Sequence, residues 1–209
     1  SSLKRLGTLS ERGIFVNTVV TTSLQRSIAR AYGLQVVGDL MVGCKYIGNV
    51  IRSIEEYGRF PEGGVSDGRD SAVGDLRDYV FGNEESHGYL VSPEVRDKDA
   101  CGAAVHLAGL ASLQKEQGKT VVDMLRDVYR VYGYHANVLR SLVMEGIEGL
   151  ERIARIQKVL RERPPSEIAG LKVLRFVDHQ KVGGPILSST DAVSRNVLVF
   201  ELDGGGVTI

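Results

Sequence analysis

Apolar and polar positions run in two rhythms along this chain, and the switches between them mark its elements. Residues 13–20, GIFVNTVV, form a β-branched run that predicts a strand. Residues 21–33, TTSLQRSIARAYG, place Thr and Ser where a helix begins, then an apolar period of three to four, then Gly33 as the stop. LQVVGDL (34–40) predicts a second strand, so the chain opens as a strand–helix–strand unit in which a helix covers a sheet. In VGCKYIGNVIRSIEEYG (42–58), Ile47, Val50, Ile51 and Ile54 recur at helical spacing up to Gly58. The Gly, Ser, Asp and Pro content of residues 59–75 predicts a surface loop, and YVFG (79–82) a short strand behind it.

Farther along, residues 97–118 predict a helix of small residues able to pack closely, with His106 packed among them. TVVDMLRDVYRVYG (120–133) predicts a second helix with Val122, Leu125, Val128 and Tyr129 on one face. A charged segment with helical period covers 141–163 and ends at Pro164 and Pro165, which cannot continue it. Two strands, LKVLRFVDHQ (171–180) and NVLVFELDGGGVTI (196–209), follow, separated by a Gly- and Ser-rich loop. The expected organisation is an α/β domain over 1–137, a linker helix over 138–165 and the start of a second domain over 166–209.

Composition narrows the function classes. The chain has 209 residues, 43% of them hydrophobic, enough to bury a core without disulfides or a structural metal. Lys plus Arg and Asp plus Glu balance at 26 each, which leaves no global field for nucleic acid or an anionic membrane. Cys44 and Cys101 fall outside any CxxC pattern, and no run approaches the ~18 apolar residues of a membrane span. A cytoplasmic protein that engages neither nucleic acid nor membrane is expected.

Candidate chemistry clusters between residues 42 and 100. In YVFGNEESHGYL (79–90), Glu84, Glu85, Ser86 and His87 gather acceptors and donors at a strand end, the chemistry needed to grip vicinal hydroxyls; a solvated acidic turn capping a helix is the other reading. VRDKDA (95–100) offers Arg96 and Lys98 as an anion clamp, with Lys98 also able to move a proton, or else Asp97 or Asp99 as a helix cap beside surface cations. Lys45 lies between glycines at a helix start. QGKT (117–120) ends like a phosphate-binding loop, but Leu113 stands where that pattern requires glycine and a helix precedes it, so a Gly stop and a Thr cap between two helices is the expected reading.

In this order TTS (21–23), VGCKYIGN (42–49), FGNEESHGY (81–89) and RDKDA (96–100) resemble the third domain of the α-D-phosphohexomutases, nearest to bacterial phosphoglucomutase/phosphomannomutase enzymes. The resemblance implies a mixed sheet flanked by helices, then a linker helix and an incomplete α+β fourth domain. It implies that Glu84 and Ser86, with His87, bind sugar hydroxyls, that Lys45 and Arg96 contact substrate, and that Lys98 is a candidate acid/base near the reacting end of the sugar. Asn83 and Cys44 depart from the pattern, which has glycine and an aromatic there. The family's TASHNP, DGDxDR and RPSGTEPK strings do not occur, so the chain is expected to be a C-terminal piece of an enzyme that interconverts hexose 1-phosphate and hexose 6-phosphate. A phosphoserine and a hexose 1,6-bisphosphate intermediate, and magnesium held by a domain absent here, are implied with it; the partners are the hexose phosphate and the missing N-terminal domains, and the piece alone is expected to be inactive. A phosphopentomutase and a non-catalytic carbohydrate- or protein-binding module remain as alternatives.

Overall fold

The computed structural model describes residues 9–61, 70–181 and 194–209. Most of the expected surface loop (62–69) and of the Gly- and Ser-rich loop (182–193) lies outside the described residues. The chain forms two compact units, Ser1–Asn137 and Val138–Ile209.

The first unit is built around β1 (Ile14–Thr18), whose five residues are all buried. A β-branched run without alternation suits a strand covered on both faces. From β1 the chain passes through α1 (Ser23–Ala31) to the parallel strand β2 (Gln35–Leu40). Thr22 caps α1 by accepting from the Leu24 amide, and Gly33 at φ 77 makes the turn into β2. α2 (Cys44–Tyr57) then buries Ile47, Val50, Ile51 and Ile54, the stripe its spacing predicts, and stops at left-handed Gly58. A short pair, β3 (Arg59–Phe60) with β4 (Ala72–Val73), leads by a single turn at Leu76–Asp78 into β5 (Tyr79–Glu84). β5 lies parallel to β1, and β6 (Gly88–Leu90) pairs antiparallel with β5, giving a mixed sheet in the order β2-β1-β5-β6.

Helices cover both faces of this sheet. Phe15 and Phe81 line a cleft with Ile28 and Ala29 of α1, whereas the neighbouring Gly82 faces α2, where a Cβ would lie 2.8 Å from Ile47 Cγ2. Consecutive strand residues point to opposite faces, so α1 and α2 sandwich the sheet. α3 (Ala100–Glu116) and α4 (Val121–Tyr132) follow β6.

Three sequence expectations change in this unit. The YVFG strand continues through Asn83 and Glu84, because both pair with β6. α3 buries none of its residues: among the described residues it packs mainly against β6 and α4, which leaves most of its small side chains uncovered. His106 is therefore exposed rather than packed, with Nδ1 2.9 Å from the Gly102 carbonyl. On α4, Val122 and Leu125 of the expected apolar face are exposed, at 57% and 41%.

In the second unit, α5 (Gly146–Glu162) begins later than its periodicity suggests, since Gly146 at φ 71 interrupts the helical backbone and residues 141–145 stay non-helical. Four strands stand where two were expected: β7 (Glu167–Ile168), β8 (Leu171–Asp178), β9 (Leu198–Leu202) and β10 (Gly205–Thr208), antiparallel in the order β10-β9-β8-β7. The extra two come from tight turns at Ala169–Gly170, with φ 52 and 82, and at Asp203–Gly204. Leu198, Phe200 and Leu202 form the core of this unit, packed by Leu160 of α5 and by Ile168, Val173, Phe176 and Val207.

Candidate functional site

β1 is the strand at which the connections reverse. The chain leaves it for β2 on one side and returns to β5 on the other, so the carboxyl ends of β1 and β5 flank a crevice of the kind in which open α/β sheets bind ligands. The residues at those ends carry the polar chemistry: Thr18 and Thr21 after β1, and Glu84 to His87 after β5.

β5 and β6 form a hairpin whose last pair is Glu84 with Gly88, leaving Glu85, Ser86 and His87 as a three-residue turn. Such turns place their third residue in the left-handed region, and His87 has φ 61. The three turn residues are exposed, whereas Glu84 is only 4% exposed. The motif thus divides into one sheltered carboxylate and a solvated tip, which corrects the reading of the whole run as a solvated acidic turn.

Glu84 is enclosed on several sides. Lys98 Nζ lies 3.2 Å from its Oε1. A Cβ on Gly88 would fall 2.8 Å from Oε1 and 2.7 Å from Cys44 Sγ, so only glycine admits both groups. Oε2 is buried and has no hydrogen-bond partner. Cys44 is the first residue of α2, and the carboxylate beside it sits at the positive end of that helix. A helix N-terminus ordinarily acidifies a thiol. Here burial, and after it the Glu84 charge, push Cys44 up to about 11, so the thiol stays protonated.

Lys98 reaches Glu84 because the segment between β6 and α3 lies across α2. Gly48 admits it: a Cβ there would be 3.1 Å from the Arg96 carbonyl oxygen. Arg96 Nη2 bonds Glu55 Oε2 at 2.6 Å, the Asp99 amide donates to the Tyr89 carbonyl at 2.8 Å, and Asp99 Oδ1 accepts from the Gly102 amide to cap α3. The hydrogen bond to Glu84, followed by nearby negative charge, raises the Lys98 pKa and keeps it charged.

Across the crevice, Thr18 Oγ1 lies 2.8 Å from Thr21 Oγ1 and donates to Glu85 Oε2 at 3.2 Å, while Ser86 Oγ donates to Glu85 Oε1. Beneath them Asn17 and Asn83, paired in register on β1 and β5, are buried at 0% and 3% exposure, and both amide ends of Asn17 and Oδ1 of Asn83 have no partner. Buried polar groups without partners are rare, and among the described residues four such atoms, on Asn17, Asn83 and Glu84, lie at this end of the first unit's sheet.

Of the residues expected at the site, Glu84 and Lys98 meet directly, and Ser86 and His87 occupy the turn beside them. Arg96 is engaged by Glu55, and exposed Lys45 lies with Nζ 5.0 Å from the Tyr46 ring centre. Lys119 of the QGKT stretch pairs with Asp127 at 2.7 Å. Thr120 caps α4 through a reciprocal box with Asp123, as expected for QGKT. Sequence reasoning missed Cys44 as a neighbour of Glu84 at Gly88, and the hydrogen bond that joins Thr18 of β1 to Glu85 of the turn. The signal for the bridge was the Thr-rich stretch directly after β1. Among the described residues, no group of three or more His, Cys, Asp or Glu is placed to hold a metal ion, and no helix is long and apolar enough to cross a membrane.

Comparison with known proteins agrees with the α/β fold of the first unit. The domain model described as phosphoglucomutase/phosphomannomutase, alpha/beta/alpha domain III, matches residues 2–132. A phosphoglucomutase of Staphylococcus aureus (strain MRSA252) is 29% identical over 201 residues, covering 94% of this chain and 33% of that protein. Phosphoglucomutases of the strains bovine RF122 / ET3-1 and N315 are each 32% identical over 166 residues, 79% of this chain and 26% of theirs. The chain spans about a third or less of the length of these relatives.

Proposed function

Because this chain belongs to the phosphoglucomutase/phosphomannomutase family through its third, α/β/α domain, we propose that it supplies sugar recognition to an enzyme that moves a phosphoryl group between C1 and C6 of a hexose phosphate. The observation that carries this reading is the buried, unpartnered Oε2 of Glu84 at the carboxyl end of the sheet. A carboxylate oxygen withheld from water and from protein donors is an acceptor kept for a ligand, and a sugar hydroxyl supplies the donor.

Within this reading Ser86 and His87 meet further hydroxyls from the exposed turn, and Lys98 stands as the cation of the site. Held charged by Glu84, Lys98 begins as a proton donor rather than a base. Lys45 contributes a second cation from the start of α2, and Arg96 acts by fastening the segment that carries Lys98. Phosphoryl transfer rests on positioning and charge neutralisation. A hexose 1,6-bisphosphate must turn over between two steps, so groups that read hydroxyls at both orientations suit the reaction. The phosphoserine and the magnesium ion are held, in this reading, elsewhere in the complete, cytoplasmic enzyme.

The test is the complete protein assayed with glucose, mannose and pentose 1-phosphates. Glu84→Gln keeps the volume and removes the charge; losing a charge-assisted hydrogen bond of about 1.5–3 kcal/mol lowers kcat/KM by about tenfold to a hundredfold. Unchanged efficiency on every hexose phosphate would overturn the assignment. A pentose preference, or binding without turnover, would redirect it to a phosphopentomutase or to a binding module.

A further inference from the structure

We infer that Thr18 is a positioning residue for the turn: through Glu85 it holds Ser86 at the crevice with the serine oxygen left to accept a proton from a sugar hydroxyl. The inference rests on the sugar-binding reading of the turn and adds to it the residue that sets its geometry.

The direction of each hydrogen bond carries it. A carboxylate only accepts, so the single hydroxyl proton of Thr18 is committed to Glu85 Oε2 at 3.2 Å. In the 2.8 Å contact between Thr18 Oγ1 and Thr21 Oγ1 the donor is therefore Thr21. The other oxygen of Glu85 takes the Ser86 proton, also at 3.2 Å, which leaves Ser86 only lone pairs for a ligand. A ligand must bring the proton, as a sugar hydroxyl does. Thr21, Thr18, Glu85 and Ser86 thus form one chain of hydrogen bonds, in which each member fixes the next. Its anchor is rigid where its tip is not. Backbone pairing between β1 and β5 ends at Asn17 with Asn83, and beyond that pair the Thr18–Glu85 bond links β1 to the turn. Thr18 is the last residue of β1, fully buried and paired with Leu40 of β2, and its carbonyl accepts from the Thr21 amide at 3.0 Å. Glu85 and Ser86 are exposed, so the buried hydroxyl is what gives their orientation a fixed reference.

The test has two arms. Backbone amide NMR relaxation of this chain reads the turn directly: Thr18→Val, which keeps the shape and deletes the hydroxyl, lowers the order parameters of Glu85, Ser86 and His87 and leaves those of β1 and β5 unchanged. Thr18→Ser, which keeps the hydroxyl, stays near wild type. A turn as ordered in Thr18→Val as in wild type overturns the inference. In the complete protein, Thr18→Val lowers kcat/KM for hexose 1-phosphates by about tenfold, the worth of one hydrogen bond, and Thr18→Ser recovers most of it. Glu85→Ala causes the same loss and, at an exposed position, reads the link from its other end should Thr18→Val fail to fold. Adding Thr18→Val to Glu85→Ala lowers activity no further, because the link is already cut. Wild-type kinetics for either single variant, or a Ser variant no better than Val, overturns the inference. An equal loss from Thr18→Val with and without Glu85 overturns it as well, since Thr18 would then serve the fold alone. A wild-type complete protein without hexose phosphate turnover defeats the sugar-binding reading instead, and is recognised because the relaxation arm still behaves as stated.

Discussion

Glu84 is a poor investment for a fold. Its carboxylate is sheltered, one oxygen has no partner, and the cation on the other is half in water. Desolvation of a charge that is incompletely paired opposes stability, so Glu84→Gln should leave the thermal midpoint of this chain unchanged or raise it while function falls. A clear drop in midpoint would make Glu84 a structural residue. Cys44 gives a pH signature. Its thiol is raised from 9.0 to about 11 in the folded chain. Below the lower value both states keep the proton. Between the two, the unfolded chain releases a proton that the folded chain retains, so this contribution to stability is lost as pH rises through the window. Urea midpoints measured across that window should fall more steeply for the wild type than for Cys44→Ala. At this scale the sequence was informative about residue types and poor about burial. EES shows two carboxylates side by side, and only strand register hides one and exposes the other. Cys44 was visible merely as a departure from an aromatic, because its place beside Gly88 and Glu84 brings together elements far apart in the chain.

The elements that place these residues depend on a few close approaches. Gly82 lets α2 sit on the sheet, since a Cβ there would be 2.3 Å from the Tyr79 hydroxyl oxygen and 2.8 Å from Ile47 Cγ2. Gly82→Ala should cost about 1–3 kcal/mol through overpacking, read from urea denaturation; a neutral result would mean that α2 shifts freely. Asp99 caps α3 and ends the segment that delivers Lys98. Loss of the cap in Asp99→Ala should cost about 1 kcal/mol. Lys98 and Lys119 provide a controlled comparison, because each pairs with a carboxylate beside a helix. Lys98→Met in the complete protein should lower activity by about a hundredfold if it neutralises charge and donates a proton, and Lys119→Met should stay near wild type. Equal activities would remove Lys98 from the site. Helices and strands with a buried stripe, such as α2 and β1, were legible from periodicity alone. α3 was misread because small residues look packable whether or not a neighbour covers them. The second-unit hairpins were missed because Asp203–Gly204 was read inside one continuous strand and Ala169–Gly170 was given no reading, whereas each is a turn that reverses a strand.

At the scale of the molecule, each unit has its own sheet and its own buried residues. Units of this kind unfold separately, so calorimetry should resolve two transitions. Phe200, fully buried between Leu198 and Leu202 and 4.9 Å from the Phe176 ring centre, is the test residue. Phe200→Ala removes about 3–5 kcal/mol of packing from the second unit, and should abolish one transition while leaving the other in place. A single transition that moves as a whole would make the two units one cooperative body. The family assignment came from an ordered set of short strings in the first unit, where strand ends and helix starts lie close in sequence. The second unit offered only strand pattern, which many sheets share.

The hairpin closed by Glu84 and Gly88 has a consequence for how proteins of this kind diverge. Its three tip residues lie beyond the last strand pair, so substitutions of Glu85 and Ser86 reach neither the strand pairing nor the core, whereas His87 at φ 61 accepts fewer replacements. A lineage can therefore rewrite Glu85 and Ser86 one mutation at a time, trying new ligands, while the domain beneath them stays folded.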